Sequence, residues 1–209
     1  NFMCGRYVIT KPVTKTASIV KTNIKVDDSD NYNAHPTQKL PIIKPYTNGK
    51  ALEIAEWGLV PEWSKKLENF KPLINARLET LMEKITFKNL IQTSRCLVLA
   101  DGYYEWKKEE KEKTPYYFTK EDDSLMLFAA IFQKNQFCII TRQASIETSE
   151  IHKREPLIIN KSQIANYLNI KKEATSVLSS IKPPKLKFHQ ISKDVNNPMN
   201  NDPRLIKAI

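Results

Sequence analysis

A cysteine directly follows a methionine at the start of this chain, in NFMCGRY. If Met3 is the initiator and is removed, Cys4 becomes the first residue. It then carries a free α-amine and a thiol on adjacent carbons, a pair that no internal cysteine offers. Asn1 and Phe2 read as a cloning remnant or an unprocessed leader, outside the fold. Three further stretches set polar groups against apolar runs: Asn75 and Arg77 in LINARLET, Glu105 in ADGYYEW and His152 in EIHKREPLII. A carboxylate hard against LVLADGYY is expected to be partly desolvated, which raises its pKa and suits it to carrying protons. Histidine is the usual side chain for proton transfer near neutral pH. Taken one at a time, each also fits a structural role: a buried Glu paired with an Arg, or a His satisfied by its neighbours.

The elements that must position these groups read as strand-rich. CGRYVIT is a first strand, and residues 13–24 suggest a short helix. NYNAHPTQKLPIIKP is a polar loop leading into a strand, where Pro36, Pro41 and Pro45 forbid a helix. ALEIAEWGLVPEW alternates and then turns at Gly58 and Pro61. NARLETLMEKITFKNLI has apolar residues at mostly helical spacing. RCLVLADGYYEW, TPYYFTK, LMLFAAIF, QFCIITRQA and PLIIN read as strands, with the charged stretch KKEEKEK as an exposed hairpin loop. SQIANYLN and EATSVLSSI suggest short helices, KLKFHQIS a last strand, and VNNPMNNDP an irregular tail. No βαβ alternation appears, so the class expected is α+β with peripheral helices.

The 209 residues allow one large domain or two small ones, and a hydrophobic content of 41% is compatible with a packed core. No apolar run approaches the roughly 20 residues of a membrane span, and no signal peptide is evident, which sets the cytoplasm as the expected compartment. Three widely spaced cysteines argue against a disulfide framework, and Cys96 and Cys138 read as small core residues. The net charge of +10 points to a polyanionic partner, and much of it lies late: residues 161–209 hold nine Lys/Arg against three Asp/Glu. Solvated surface lysines account for the same composition equally well. Phosphate-loop, dinucleotide and nucleophile-elbow glycine patterns are missing from the sequence, as are metal-binding His and Cys pairs.

Taken together, MCGRY, YNAHPTQ, WGLVPEW, INARLET, ADGYYEW and IHKREP resemble, in this order, the SRAP family, the SOS-response-associated proteins that process abasic sites and were formerly described as peptidases. The resemblance runs from Met3 to about His189. It implies a single domain over residues 3–209, a strand-rich α+β fold built on a curved, barrel-like mixed sheet with peripheral helices, and a positively charged cleft for single-stranded DNA. Matched residue by residue, it implies that Cys4 is the nucleophile, Asn75 orients the cysteine and the opened sugar, Glu105 is the catalytic carboxylate, and His152 is the general acid/base. Arg6, Asn33, Trp63, Arg77 and Arg154 are implied DNA contacts. The implied partner is single-stranded DNA with an abasic site, alone or at a junction with duplex. It would be bound by a monomer without cofactor or metal, in the cytoplasm or on the nucleoid. The family often reads His-Asp-Arg-Met-Pro where this chain has His152, Lys153, Arg154, Glu155 and Pro156.

The chemistry so implied is amine capture of an aldehyde. An abasic site equilibrates with an open form carrying an aldehyde, and only a neutral amine attacks it. An α-amine with pKa near 8 is roughly 10–15% neutral at pH 7, whereas a lysine is about 0.04% neutral. The thiol of the same residue then closes a five-membered thiazolidine on the imine carbon, an intramolecular step. A stable DNA–protein crosslink results, with self-removal of a leader as a second, peptidase-like activity. Glu105 would shuttle protons at the amine and His152 at the sugar ring oxygen. Trp63 or Trp106 could stack on a base, although Trp57 and Trp106 also read as core. Arg77 could instead pair with Glu79 or Glu105. Two readings compete: a cysteine peptidase or amidohydrolase using Cys4, His152 and Asn75, and a DNA-binding module without chemistry. A metal site from His35, His152, His189 and Cys4 is a weaker third.

Overall fold

A computed structural model describes residues 4–47 and 49–209, so Asn1, Phe2 and Met3, read above as a remnant or leader and an initiator, lie outside the described residues. The strands are β1 (Tyr7–Ile9), β2 (Asn31–Ala34), β3 (Lys39–Tyr46), β4 (Gly49–Trp57), β5 (Asn75–Arg77), β6 (Arg95–Ala100), β7 (Gly102–Lys108), β8 (Lys113–Lys120), β9 (Met126–Gln133), β10 (Gln136–Gln143), β11 (Arg154–Pro156) and β12 (Leu186–Gln190). Four short helices flank them: α1 (Pro12–Thr16), α2 (Ile85–Thr93), α3 (Ile164–Leu168) and α4 (Ala174–Ser179). The fold is strand-rich α+β, with two sheets. One is open and antiparallel, in the order β12-β8-β7-β1-β2. In the other, β10-β4-β3-β6-β9 closes into a ring because β9 also pairs with β10, and β5 and β11 attach to β10. The ring is the form taken by the expected curved, barrel-like sheet. No helix among the described residues is long and apolar enough to cross a membrane.

RCLVLADGYYEW is two strands rather than one. It breaks at Asp101, and the chain passes from the closed sheet to the open one. The Asp101 carboxylate accepts from the Thr10 N–H at 2.8 Å and from the Thr10 hydroxyl at 2.6 Å, which pins the crossover to the end of β1. Gly102 follows because the backbone of β8 comes close: a Cβ there would lie 2.4 Å from the Phe118 carbonyl oxygen and 2.5 Å from the Tyr117 ring. Gly102→Ala is therefore expected to destabilise the fold by about 1–3 kcal/mol through overpacking. A urea midpoint equal to that of the parent protein would contradict the close approach.

Two helical expectations are corrected. Residues 13–24 are helical only over Pro12–Thr16. The stretch from Asn75 is first a strand: Asn75, Ala76 and Arg77 pair in parallel with Ile139, Ile140 and Thr141, and α2 starts only at Ile85. Partnership with β10 overrides the helical spacing of the residues that follow. Pro41 and Pro45, which forbid a helix, lie within β3, which is paired along its whole length with β4 and at Ile42 and Ile43 with β6. The tail is not wholly irregular, since 3₁₀ turns at Lys193–Asn196 and Pro203–Ile206 bury Val195 and Leu205 against Val8, Tyr104 and Tyr117. Cys96 and Cys138 are buried core residues with free thiols.

Candidate active site

Register brings the first described residues against Glu105. In the antiparallel pair β1–β7, Val8 faces Gly102 and Tyr7 faces Tyr103, and the Tyr104 N–H donates to the Arg6 carbonyl at 3.0 Å. Continuing that ladder sets Gly5 opposite Glu105 and Cys4 one residue further, within reach of the Glu105 side chain. The Cys4 backbone N–H donates to Glu105 Oε1 at 2.5 Å, a bond between residues 101 positions apart. Glu105 takes an inward position of β7, on the same face as Tyr103, by the two-residue period of a strand. It is only 3% exposed. Burial raises its pKa to about 8, against the lowering effect of the Cys4 and Trp106 backbone N–H groups. The desolvation expected from the sequence is thus present.

Cys4 is buried at 1% exposure, with a left-handed backbone (φ 46°). Burial first, and then the charges of Glu105 and Glu155, push its thiol well above the ordinary value. Glu155 is itself buried and held by the Thr148 hydroxyl at 2.7 Å, the Ser145 N–H at 3.2 Å and Arg142 Nε at 3.3 Å.

His152 follows a helical turn closed by its own N–H on the Thr148 carbonyl, and precedes β11. Its Nδ1 lies 3.8 Å from Glu105 Oε1 and 3.2 Å from both the N–H and the carbonyl of Arg154. Nδ1 therefore has a backbone partner whether it accepts, from that N–H, or donates, to that carbonyl.

Over these groups opens a cleft of about 380 Å³, lined by Arg6, Glu105, Trp106, Lys108, Lys113, His152 and Asn196. Arg6 Nη1 donates to Asn33 Oδ1 at 2.8 Å and to the Val195 carbonyl at 2.7 Å. Asn33 is buried, and its amide donates to the carbonyls of Val195, Asn197 and Asn200. What Asn33 offers a ligand is the placement of Arg6, not the direct contact expected of it. Trp106 is half-buried: it packs against the cluster of Val8, Tyr104, Tyr117 and Val195, lines the cleft, and donates from Nε1 to Asn196 Oδ1 at 2.7 Å. Past Trp106 and His152 a groove continues along Arg77, Ser149, Lys153 and Arg154.

The remaining expected residues are more dispersed. Arg77 is exposed and lines that groove, and Glu79, one of its candidate partners, is taken by Arg154 at 2.8 Å. Arg154 also donates to the Thr141 carbonyl at 2.8 Å, and its Nε is buried with no hydrogen-bond partner among the described residues. Asn75 is half-buried; its Nδ2 has no hydrogen-bond partner among the described residues, and no contact places it against Cys4. Trp63 is 60% exposed and packs edge-on against Phe70, lining neither the cleft nor the groove. His35 and His189 bond the carbonyls of Pro36 and Ile206, and His189 faces Tyr117 in a separate hollow. Among the described residues no three His, Cys, Asp or Glu side chains group as metal ligands. Lys108, Lys113 and Asn196 are cleft residues that the sequence reading missed; KKEEKEK held the only signal, as a charge run ending on lysines.

The family described as SOS response associated peptidase (SRAP) matches residues 3–198. The abasic site processing protein YoqW of Bacillus subtilis is 30% identical, covering 99% of this chain and 100% of its own. The abasic site processing protein YedK of Escherichia coli is likewise 30% identical, over 99% and 100%. An abasic site processing protein of Saccharomyces cerevisiae is 34% identical over 86% of this chain, which spans only 53% of that longer relative. A solved structure of a protein from Bacteroides thetaiotaomicron, 23% identical, shares the fold with a TM-score of 0.83 over 99% of this chain.

Proposed function

We propose that this chain, which belongs to the SOS response associated peptidase (SRAP) family, captures abasic sites in single-stranded DNA by a covalent bond from Cys4. The observation that carries the reading is the nitrogen of Cys4, held 2.5 Å from a buried carboxylate at the base of a cationic cleft. When Cys4 is the first residue, that nitrogen is an α-amine. Burial raises the pKa of the Glu105 carboxyl, and a raised carboxyl in contact with an α-amine is suited to exchanging a proton with it. The neutral amine attacks the aldehyde carbon, water leaves, and an imine forms. The thiol then adds to the same carbon and closes the thiazolidine. His152, beside Glu105, is positioned to protonate the sugar ring oxygen as it opens. Arg6, Arg77 and Arg154 supply positive charge for the strand, and the buried Asn75 amide, without a hydrogen-bond partner among the described residues, is the donor assigned to a sugar hydroxyl. Single-stranded DNA, alone or at a junction with duplex, is the proposed partner, bound by one copy of the protein.

The peptidase reading has less support. A cysteine peptidase needs a thiolate beside a histidine, whereas the Cys4 thiol is raised, not lowered, and His152 faces Glu105 and the Arg154 backbone. The test is the aldehyde itself. Protein beginning at Cys4 is expected to crosslink to a strand with one abasic site and not to the same strand with a tetrahydrofuran residue, which has no aldehyde. Equal adducts from both, or none from either, would rule the capture reaction out.

A further inference from the structure

The β7–β8 hairpin sorts the charges of KKEEKEK in a way the sequence does not announce. Lys108 and Lys113 lie directly opposite each other in the ladder and both line the cleft that contains Glu105 and His152. Directly opposed residues have Cβ atoms about 5 Å apart, and like charges at such a pair are destabilising. Two of the three acids in the turn are engaged elsewhere. Glu109 accepts the Thr114 hydroxyl at 3.0 Å, and Glu112 is paired with Lys193. The turn between them is closed by the Glu109 N–H on the Glu112 carbonyl at 3.0 Å. Neither Lys108 nor Lys113 has an ion-pair or hydrogen-bonding partner for its ammonium among the described residues. The Lys193–Glu112 pair and the Trp106–Asn196 bond tie this hairpin to the chain segment that also holds Arg6.

We propose that Lys108 and Lys113 are a two-lysine clip for one phosphodiester of the DNA strand, next to the lesion held over Glu105 and His152. An anion between two opposed ammonium groups turns their repulsion into attraction for both. The clip rests on the reading of the cleft as a site for single-stranded DNA. It adds a fixed phosphate position, which sets where the abasic sugar falls along the strand.

The test is equilibrium binding to a strand carrying one tetrahydrofuran residue, so that no covalent step contributes. Single, uncharged methylphosphonate linkages are scanned along that strand. Lys108→Gln, Lys113→Gln and the double variant are compared with the parent protein, all beginning at Cys4. The double variant is expected to bind about fivefold more weakly, as the loss of about 1 kcal/mol of exposed ion pairing gives. Its plot of log K against log salt should be shallower by about 0.7, the share of one single-strand phosphate. Each single variant should show most of the loss, because both lysines serve one anion. At one linkage position, methylphosphonate should weaken the parent about as much as the double variant is weakened, and should cost the double variant nothing further. Additive small losses with no such position would overturn the clip in favour of a diffuse cationic field, and an unchanged salt slope would overturn it as well. If the parent protein bound no strand at all, the DNA reading itself would fail and take the clip with it.

Discussion

A chain that extends beyond Cys4 on its N-terminal side is expected to form no covalent adduct with abasic DNA, although every side chain of the site is unchanged. With Met3 attached, the Cys4 nitrogen is an amide whose lone pair is delocalised into the carbonyl. It still donates to Glu105, as the structure shows, but it cannot become an imine. Cys4→Ala separates the two functional groups of the residue. With alanine as the first residue the α-amine remains, so an imine forms but no thiol closes the ring. That variant is expected to give an adduct only when borohydride is added to trap the imine. The extended chain should give none with or without reductant. Undiminished crosslinking by the extended chain, measured on a denaturing gel, would show that the amine is not the nucleophile.

Glu105→Gln is expected to slow capture by about 100- to 1000-fold, the usual worth of a positioned general acid–base. Glutamine keeps an acceptor for the Cys4 nitrogen but takes no proton from it. The parent rate should rise with pH as the amine–carboxyl pair gives up its proton, and the variant should lack the carboxyl's share of that rise. The same substitution has the opposite sign for stability. In the chain whose residue 4 is an amide, Glu105 has a pKa of about 8 against an ordinary 4.5. Between those values the folded state holds a proton that the unfolded state has released, so stability falls as pH rises through the window. By pH 8 that cost amounts to roughly 5 kcal/mol, as an upper figure. Glu105→Gln should therefore be more stable than the parent at pH 8 and nearly equal to it at pH 5, by urea unfolding. A variant less stable at pH 8 would mean that Glu105 is a structural partner, not a desolvated acid held for chemistry.

The parts of this site that were legible in the sequence are those set by local pattern. Glu105 could be read because a carboxylate next to two aromatic residues in a strand is carried inside with them, and β7 buries it. Cys4 could be read because its neighbour Met3 suggested a terminus, although the 2.5 Å bond to Glu105 depends on a register fixed across 101 residues that no local pattern encodes. The break at Asp101 was hidden for the same reason: an apolar strand continues plausibly until another sheet claims its second half. Asn75 and Arg77 were read into a helical stretch because the apolar spacing after them is helical, whereas pairing with β10 decides their conformation. Asn33 looked like a DNA contact until the carbonyls of Val195, Asn197 and Asn200 enclosed its amide. Lys108 and Lys113 were lost within a charge run because composition does not say which charges a hairpin turns toward a cleft.

The central claim is a bond between Cys4 and the aldehyde carbon through both nitrogen and sulfur. Its most direct test is the intact mass of the product between protein beginning at Cys4 and a strand with a single abasic site, taken without reductant. The account predicts one species at the sum of the two masses less one water, stable to denaturation and missing when Cys4 is alanine. A product of any other mass, or one formed equally by the alanine variant, would contradict it.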